Sequence, residues 1–182
     1  VKQDSDGINI EDLDAVCLRE RAAGGRVNLL YLVPNFQNPA GILLSLEKRA
    51  RLLDWAERRN ILIVEDDPYR DLYFEDTTTE ADVRPIRADD DSGRVVYLSS
   101  FSKTLAPGYR VAWIDAPAPV AAKLELAKQA ADLCTGELDQ RVVYEACRRG
   151  ILDRQAPVLR RYYQAKRDVM LGALREHFGG AL

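Results

Sequence analysis

The chain has 182 residues, 47% of them hydrophobic and 30% charged, a balance that supports a packed core and excludes a disordered or low-complexity protein. A formal net charge of −3 leaves no global positive field for nucleic acid or an anionic membrane surface, so any phosphate must be held by local groups. Cys17, Cys134 and Cys147 are odd in number and lack C-x-x-C or histidine spacing, which argues against a disulfide framework or a metal site and for a reducing, cytoplasmic setting.

No apolar stretch approaches the roughly 18–20 residues of a membrane-spanning helix, and the opening VKQDSDGINIED is polar and acidic, unlike a signal or transit peptide. A soluble, untargeted chain is expected. Ile10, Leu13, Val16 and Cys17 then recur at helical spacing, with Glu11 or Asp12 in the first turn, and Gly24-Gly25 ends this surface helix. VNLLYLV, residues 27–33, is a continuous apolar run of the kind buried in a parallel sheet, and Pro34 closes it.

Ser45 reads as the N-cap of LEKRARLLDWAERRN, with Leu46, Ala50, Leu53 and Ala56 as its apolar side and Asn60 as its end. Ile61 to Val64 is a second buried strand, running into Glu65-Asp66-Asp67, so strand, helix and strand form a βαβ unit. Residues 75–93 are acidic, turn-rich and read as a surface loop. Arg94 to Leu98 and Val111 to Ile114 are further short strands bracketing SSFSKTLAPGYR. Beyond Pro117 the pattern is helical, over roughly 119–133, 138–150 and 155–178, and the closing Gly179-Gly180-Ala181-Leu182 resembles a break within a polypeptide.

Three runs that follow strand-like segments carry the chemistry. Lys103 is an amine that could condense with an aldehyde; Ser100, Ser102 and Arg110 around it form a small anion cradle. Asp66, at a strand end, suits a pyridine nitrogen, because a carboxylate a few ångströms away favours its protonated form. Tyr69 and Asn38 are donors for a phenolate oxygen. Taken singly each is ordinary: a solvated lysine, turn-forming serines, a surface arginine, an acidic strand end or half a metal site, and an Asn-Pro turn. Taken together they supply one group for each functional atom of pyridoxal phosphate. His177, the lone histidine, reads as a helix C-terminal side chain with no catalytic role.

PNFQNPAG, VEDDPYRDLYF and SSFSKTLAPGYRVAW, in this order, resemble three motif blocks of the class I/II aminotransferases, fold type I pyridoxal phosphate enzymes, in the 2-aminoadipate aminotransferase-like branch. The resemblance covers about residues 6–178. It implies an α/β fold: the later half of a three-layer α/β/α large domain in residues 1–150, then an interdomain helix and the start of a small domain in 151–182. It also implies that pyridoxal 5′-phosphate is the cofactor, with the internal aldimine on Lys103, Asp66 on the pyridine nitrogen, Tyr69 and Asn38 on the phenolate oxygen, and Ser100, Ser102 and Arg110 near the phosphate. Amino acids and 2-oxo acids are the implied substrates, and a homodimer the implied assembly.

Family members are longer than this chain. The rest of the phosphate cup, the aromatic residue that stacks on the ring and the arginine that grips the substrate carboxylate are not found in it, so the segment alone is expected to be inactive. Two other functions stay open. The same lysine, aspartate and tyrosine serve lyases and decarboxylases of this fold, and an aminotransferase-like domain also acts as the effector sensor of certain winged-helix regulators, whose nucleic-acid contacts lie outside such a segment.

Overall fold

A computed structural model describes residues 1–179; Gly180, Ala181 and Leu182, on which part of the expected chain break and the last positions of the 151–182 segment fall, lie outside the described residues. The chain opens with a minimal antiparallel hairpin, β1 (Gln3–Asp4) and β2 (Gly7–Ile8), in the stretch read as merely polar. Helix α1 (Ile10–Ala22) follows, its N-cap Asn9 accepting from the Asp12 backbone N–H at 2.8 Å, and it buries Ile10, Leu13 and Cys17.

The central sheet has the order β3-β4-β5-β6, from β3 (Leu29–Leu32), β4 (Leu62–Asp66), β5 (Val95–Ser100) and β6 (Ala112–Asp115). The first three strands are parallel and β6 runs antiparallel to β5. Register pairs Leu30 with Ile63 and Ile63 with Val95, which puts these three on one face, while Tyr31, Val64 and Val96 line the other.

The first face packs against α1 and α2 (Leu46–Arg59), in a cluster that includes Leu13, Cys17, Leu52, Trp55, Ala56, Ile61, Ile63, Ile86 and Val95. Each fully buried aliphatic side chain there contributes about 1.5–3 kcal/mol. The Trp55 indole N–H donates to Asp14 at 2.9 Å and ties α2 to α1. The second face is open at its flanks: Leu29, Tyr31 and Ile114 are each more than half exposed. The expectation that residues 27–33 are buried is therefore corrected. Among the described strands β3 is an edge, and only Leu30 and Leu32 of it pack on the core.

Ser45 and Asn60 bound α2 as expected, the serine accepting from the Lys48 N–H at 3.3 Å and Asn60 taking the left-handed conformation at φ 54°. Its buried face differs, because Lys48, Arg49, Leu52, Trp55 and Ala56 are buried whereas Leu46 and Ala50 are exposed. Arg49 is satisfied inside by the Leu44 and Arg84 carbonyls and the Asn35 amide oxygen, which turns the helix away from the face that apolar spacing suggests. The segment 75–93 is a connection, but not a purely superficial one: Val83 and Ile86 are buried.

After β6 come α3 (Ala118–Ala131), α4 (Glu137–Arg148) and the 28-residue α5 (Ile151–Phe178). Helix α5 begins at Ile151, earlier than the expected start near residue 155, with Gly150 in the left-handed conformation as its N-cap and Pro157 accommodated about two turns in. No described helix is long and apolar enough to cross a membrane.

Candidate functional site

The parallel strands β3, β4 and β5 deliver their carboxyl ends to one edge of the sheet, where the loops bearing all three motif runs emerge. Such an edge is where open α/β sheets bind ligands. Asp66 ends β4 opposite Leu98, and Ser100 lies two residues beyond Leu98 on the same face of β5. The strand ends are locked together: the Asp67 N–H donates to the Leu98 carbonyl at 2.8 Å, and the Ser99 hydroxyl to the Asp67 carbonyl at 2.9 Å.

Tyr69 follows through Pro68 and enters a 3-10 turn at Arg70–Leu72. Lys103 Nζ stands 5.6 Å from the centroid of the Tyr69 ring, within cation–π reach. The lysine is carried on a closed turn in which the Leu105 and Ala106 N–H groups donate to the Phe101 carbonyl at 2.9 and 3.1 Å. Within it the Ser102 N–H approaches the Ser100 hydroxyl at 3.4 Å.

Asp66, Tyr69, Ser100, Ser102 and Lys103 are thus gathered at one edge. Arg110 takes φ 52° at the end of the Pro107–Tyr109 turn, and its Nη1 donates to the Pro107 carbonyl at 3.3 Å, which leaves most of its fork free to bind elsewhere. Asn38 lies on the loop after β3; its backbone oxygen accepts from Gln37 Nε2 at 2.8 Å, and its exposed side chain makes no hydrogen bond to another candidate among the described residues.

Two features escaped the sequence reading. The Tyr31 hydroxyl donates to Asp66 Oδ2 at 2.6 Å, although Tyr31 looks like one more apolar strand residue. Behind the edge lies a buried polar relay. Arg49 donates to Asn35 at 2.8 Å, Asn35 to Asp67 at 2.8 Å, and the Tyr97 hydroxyl to Asp67 at 3.1 Å.

Glu65, next along β4, accepts the Ile86 and Arg87 N–H groups at 2.8 and 2.9 Å. Burial pushes the Glu65 carboxyl up to about 7 and that of Asp67 up to about 6, while it lowers the Arg49 guanidinium. Of the acidic triplet Glu65-Asp66-Asp67, only the middle member is free to serve the edge; its neighbours are internal structure and not a solvated strand cap. Among the described residues no cluster of histidine, cysteine or carboxylate side chains could hold a metal ion.

The profile of the aminotransferase class I and II family matches residues 2–181. The chain belongs to that family. It is 40% identical over 173 residues to aromatic-amino-acid aminotransferase 1 of Thermococcus litoralis, covering 95% of this chain and 40% of the relative. It is 42% identical over 169 residues to the 2-aminoadipate transaminase of Thermus thermophilus, covering 93% and 41%.

The crystal structure of Pyrococcus horikoshii kynurenine aminotransferase, solved with PMP, superposes with a TM-score of 0.88 at 38% identity, over 96% of this chain and 42% of that one. The regulator NorG of Staphylococcus aureus also matches, at 34% identity over 93% of this chain and 37% of its own length. The chain therefore carries the α/β fold of the fold type I aminotransferases and spans about two fifths of the length of these relatives.

Proposed function

We propose that this chain is part of a pyridoxal phosphate-dependent aminotransferase that moves an amino group from an amino acid to a 2-oxo acid, with Lys103 as the residue that binds the cofactor covalently. The observation that carries the reading is the convergence of Asp66, Tyr69, Ser100 and Lys103 on one sheet edge, with Lys103 Nζ 5.6 Å from the Tyr69 ring, in a chain of this family. The donor set fits the cofactor. Asp66 keeps Oδ1 free of hydrogen bonds among the described residues, ready for a pyridine N–H, and an amine, two hydroxyls and a guanidinium lie on the neighbouring loop.

When bound, pyridoxal phosphate supplies the electron sink that makes a bond to the substrate α-carbon labile. Asp66 would hold a proton on the pyridine nitrogen. Tyr69 and Asn38 would donate to the phenolate oxygen, and Ser100, Ser102 and Arg110 would bind the phosphate. The amine of Lys103 would serve as the general base for the proton on the substrate α-carbon. Residues 1–150 belong to the cofactor-binding domain in this reading and α5 leads out of it. The working unit is a homodimer of the longer protein in the cytoplasm.

The test uses the full-length protein incubated with pyridoxal phosphate. A visible absorbance band that is lost in Lys103→Ala and weakened in Asp66→Ala is expected, followed by glutamate formation from 2-oxoglutarate and at least one amino acid donor. A colourless protein would sink the reading. A coloured protein that makes no glutamate from any donor would shift it to a lyase, or to an effector sensor of the kind the NorG match suggests.

A further inference from the structure

Tyr31 sits in the middle of β3, opposite Val64, so its side chain shares the open sheet face with Val64 and with Asp66 two residues on. From there its hydroxyl reaches Asp66 Oδ2 at 2.6 Å, the length of a strong hydrogen bond from a hydroxyl to a carboxylate. Among the described residues this is the only hydrogen bond the Asp66 side chain makes, and it leaves Oδ1 open.

The partner's chemistry matters. An arginine or lysine in this place would neutralise the carboxylate and weaken its hold on a protonated ring nitrogen, whereas a phenol fixes its orientation and leaves its charge intact. The hydrogen bond to Asp66, with burial, pushes the Tyr31 hydroxyl up to about 12, so it remains a donor throughout the neutral range.

We propose that Tyr31 is a positioning residue for the cofactor: it pins one oxygen of Asp66 so that the other is presented, correctly aimed, to the pyridine nitrogen. The inference rests on the aminotransferase reading above and extends it to a residue outside the three motif runs. Tyr31 acts through Asp66 and need not touch the substrate.

The experiment compares full-length wild type, Tyr31→Phe, Asp66→Asn and the double variant, each titrated with pyridoxal phosphate and followed by visible absorbance. Tyr31→Phe removes one oxygen from a ring that is 55% exposed, so the fold is retained, which far-ultraviolet circular dichroism verifies. Its cofactor dissociation constant is expected to rise about tenfold, the scale of one hydrogen bond to a charged group. The pH titration of the visible band should shift, and kcat should fall while KM for the amino donor changes less than about twofold.

In the Asp66→Asn background the same substitution should have little further effect, because the two residues act as one unit. A purely structural tyrosine would lower thermal stability equally in both backgrounds and leave the band unmoved. A coloured wild type with an indistinguishable Tyr31→Phe overturns this inference alone; a colourless wild type overturns it together with the reading it rests on.

Discussion

Asn35 donates to Asp67 across 2.8 Å, and both side chains are fully buried. The amide oxygen of Asn35 accepts from Arg49, so one neutral group bridges an interior cation and an interior anion. Removing the bridge would leave Arg49 with only the Leu44 and Arg84 carbonyls and Asp67 with only the Tyr97 hydroxyl as side-chain partners in the interior. Asn35→Leu, which keeps the branching at Cγ but is bulkier and has no polar atoms, is expected to destabilise the full-length protein by about 3 kcal/mol in chemical denaturation. Asp67 adjoins Asp66, so the variant should also bind pyridoxal phosphate more weakly. A change below about 0.5 kcal/mol would mean that the relay is not structural.

The same buried acids make stability depend on pH in an unusual direction. Burial raises Glu65 to about 7 from an ordinary 4.5, and Asp67 to about 6 from 3.8. Between these limits the folded protein retains protons that the unfolded chain has released, so this contribution weakens as pH rises from about 4 to about 7 and is level above that. The thermal midpoint of the full-length protein should therefore fall between about pH 4 and about pH 7, with no further loss from these two groups above that. Glu65→Gln, which cannot ionise, should show a flatter slope than wild type, and an unchanged slope would count against Glu65 as its source.

How far the fold could be read from residues alone depended on whether packing or polarity determined each element. The βαβ unit was legible because Ser45 and Asn60 are strong boundary signals and Ile61 to Val64 is continuously apolar. The buried face of α2 was not, since Arg49 looks like a solvent residue until three oxygens inside the protein receive it. Lys103, Asp66 and Tyr69 stood out by spacing within short motifs. Tyr31 did not, because its link to Asp66 depends on strand register across 35 positions, which no local pattern encodes. Asp66 and Asp67 likewise look alike in sequence, although Asp66 ends β4 at the edge site and Asp67, just beyond the strand, is turned into the interior.

Core packing and the site should separate cleanly in mutants. Leu52 is fully buried in the cluster between the first sheet face and the two N-terminal helices, and no candidate site residue belongs to that cluster. Leu52→Ala is expected to cost about 3–4 kcal/mol through lost transfer energy and a residual cavity. Cofactor affinity, measured below the unfolding transition, should stay within about twofold of wild type. A large loss of affinity in the still-folded variant would show the core coupled to the site.

The long helix α5 is held to the turn that follows Tyr69 by Arg160, whose guanidinium lies 3.7 Å from the centroid of the Tyr73 ring. Its Nε donates to the Asp71 carbonyl at 2.9 Å, and its Nη1 pairs with Glu75 at 3.3 Å. One turn pair further along, Arg167 repeats the arrangement with Phe74 and Asp76. Two arginines seven residues apart thus fasten the same face of the helix to residues 71–76.

Arg160 is the stronger clasp, because its side chain is only 16% exposed and it combines stacking, a backbone bond and an ion pair. Arg160→Met keeps the apolar stem and removes the polar contacts. It should cost about 2 kcal/mol and raise amide hydrogen exchange in residues 70–76 and the first half of α5, while leaving α2 and β4 protected. Because this turn begins at Tyr69, loosening it should also weaken cofactor binding, by less than Tyr31→Phe does. Unchanged exchange across residues 70–76 would show that backbone bonds alone hold the turn and that the arginine only decorates it.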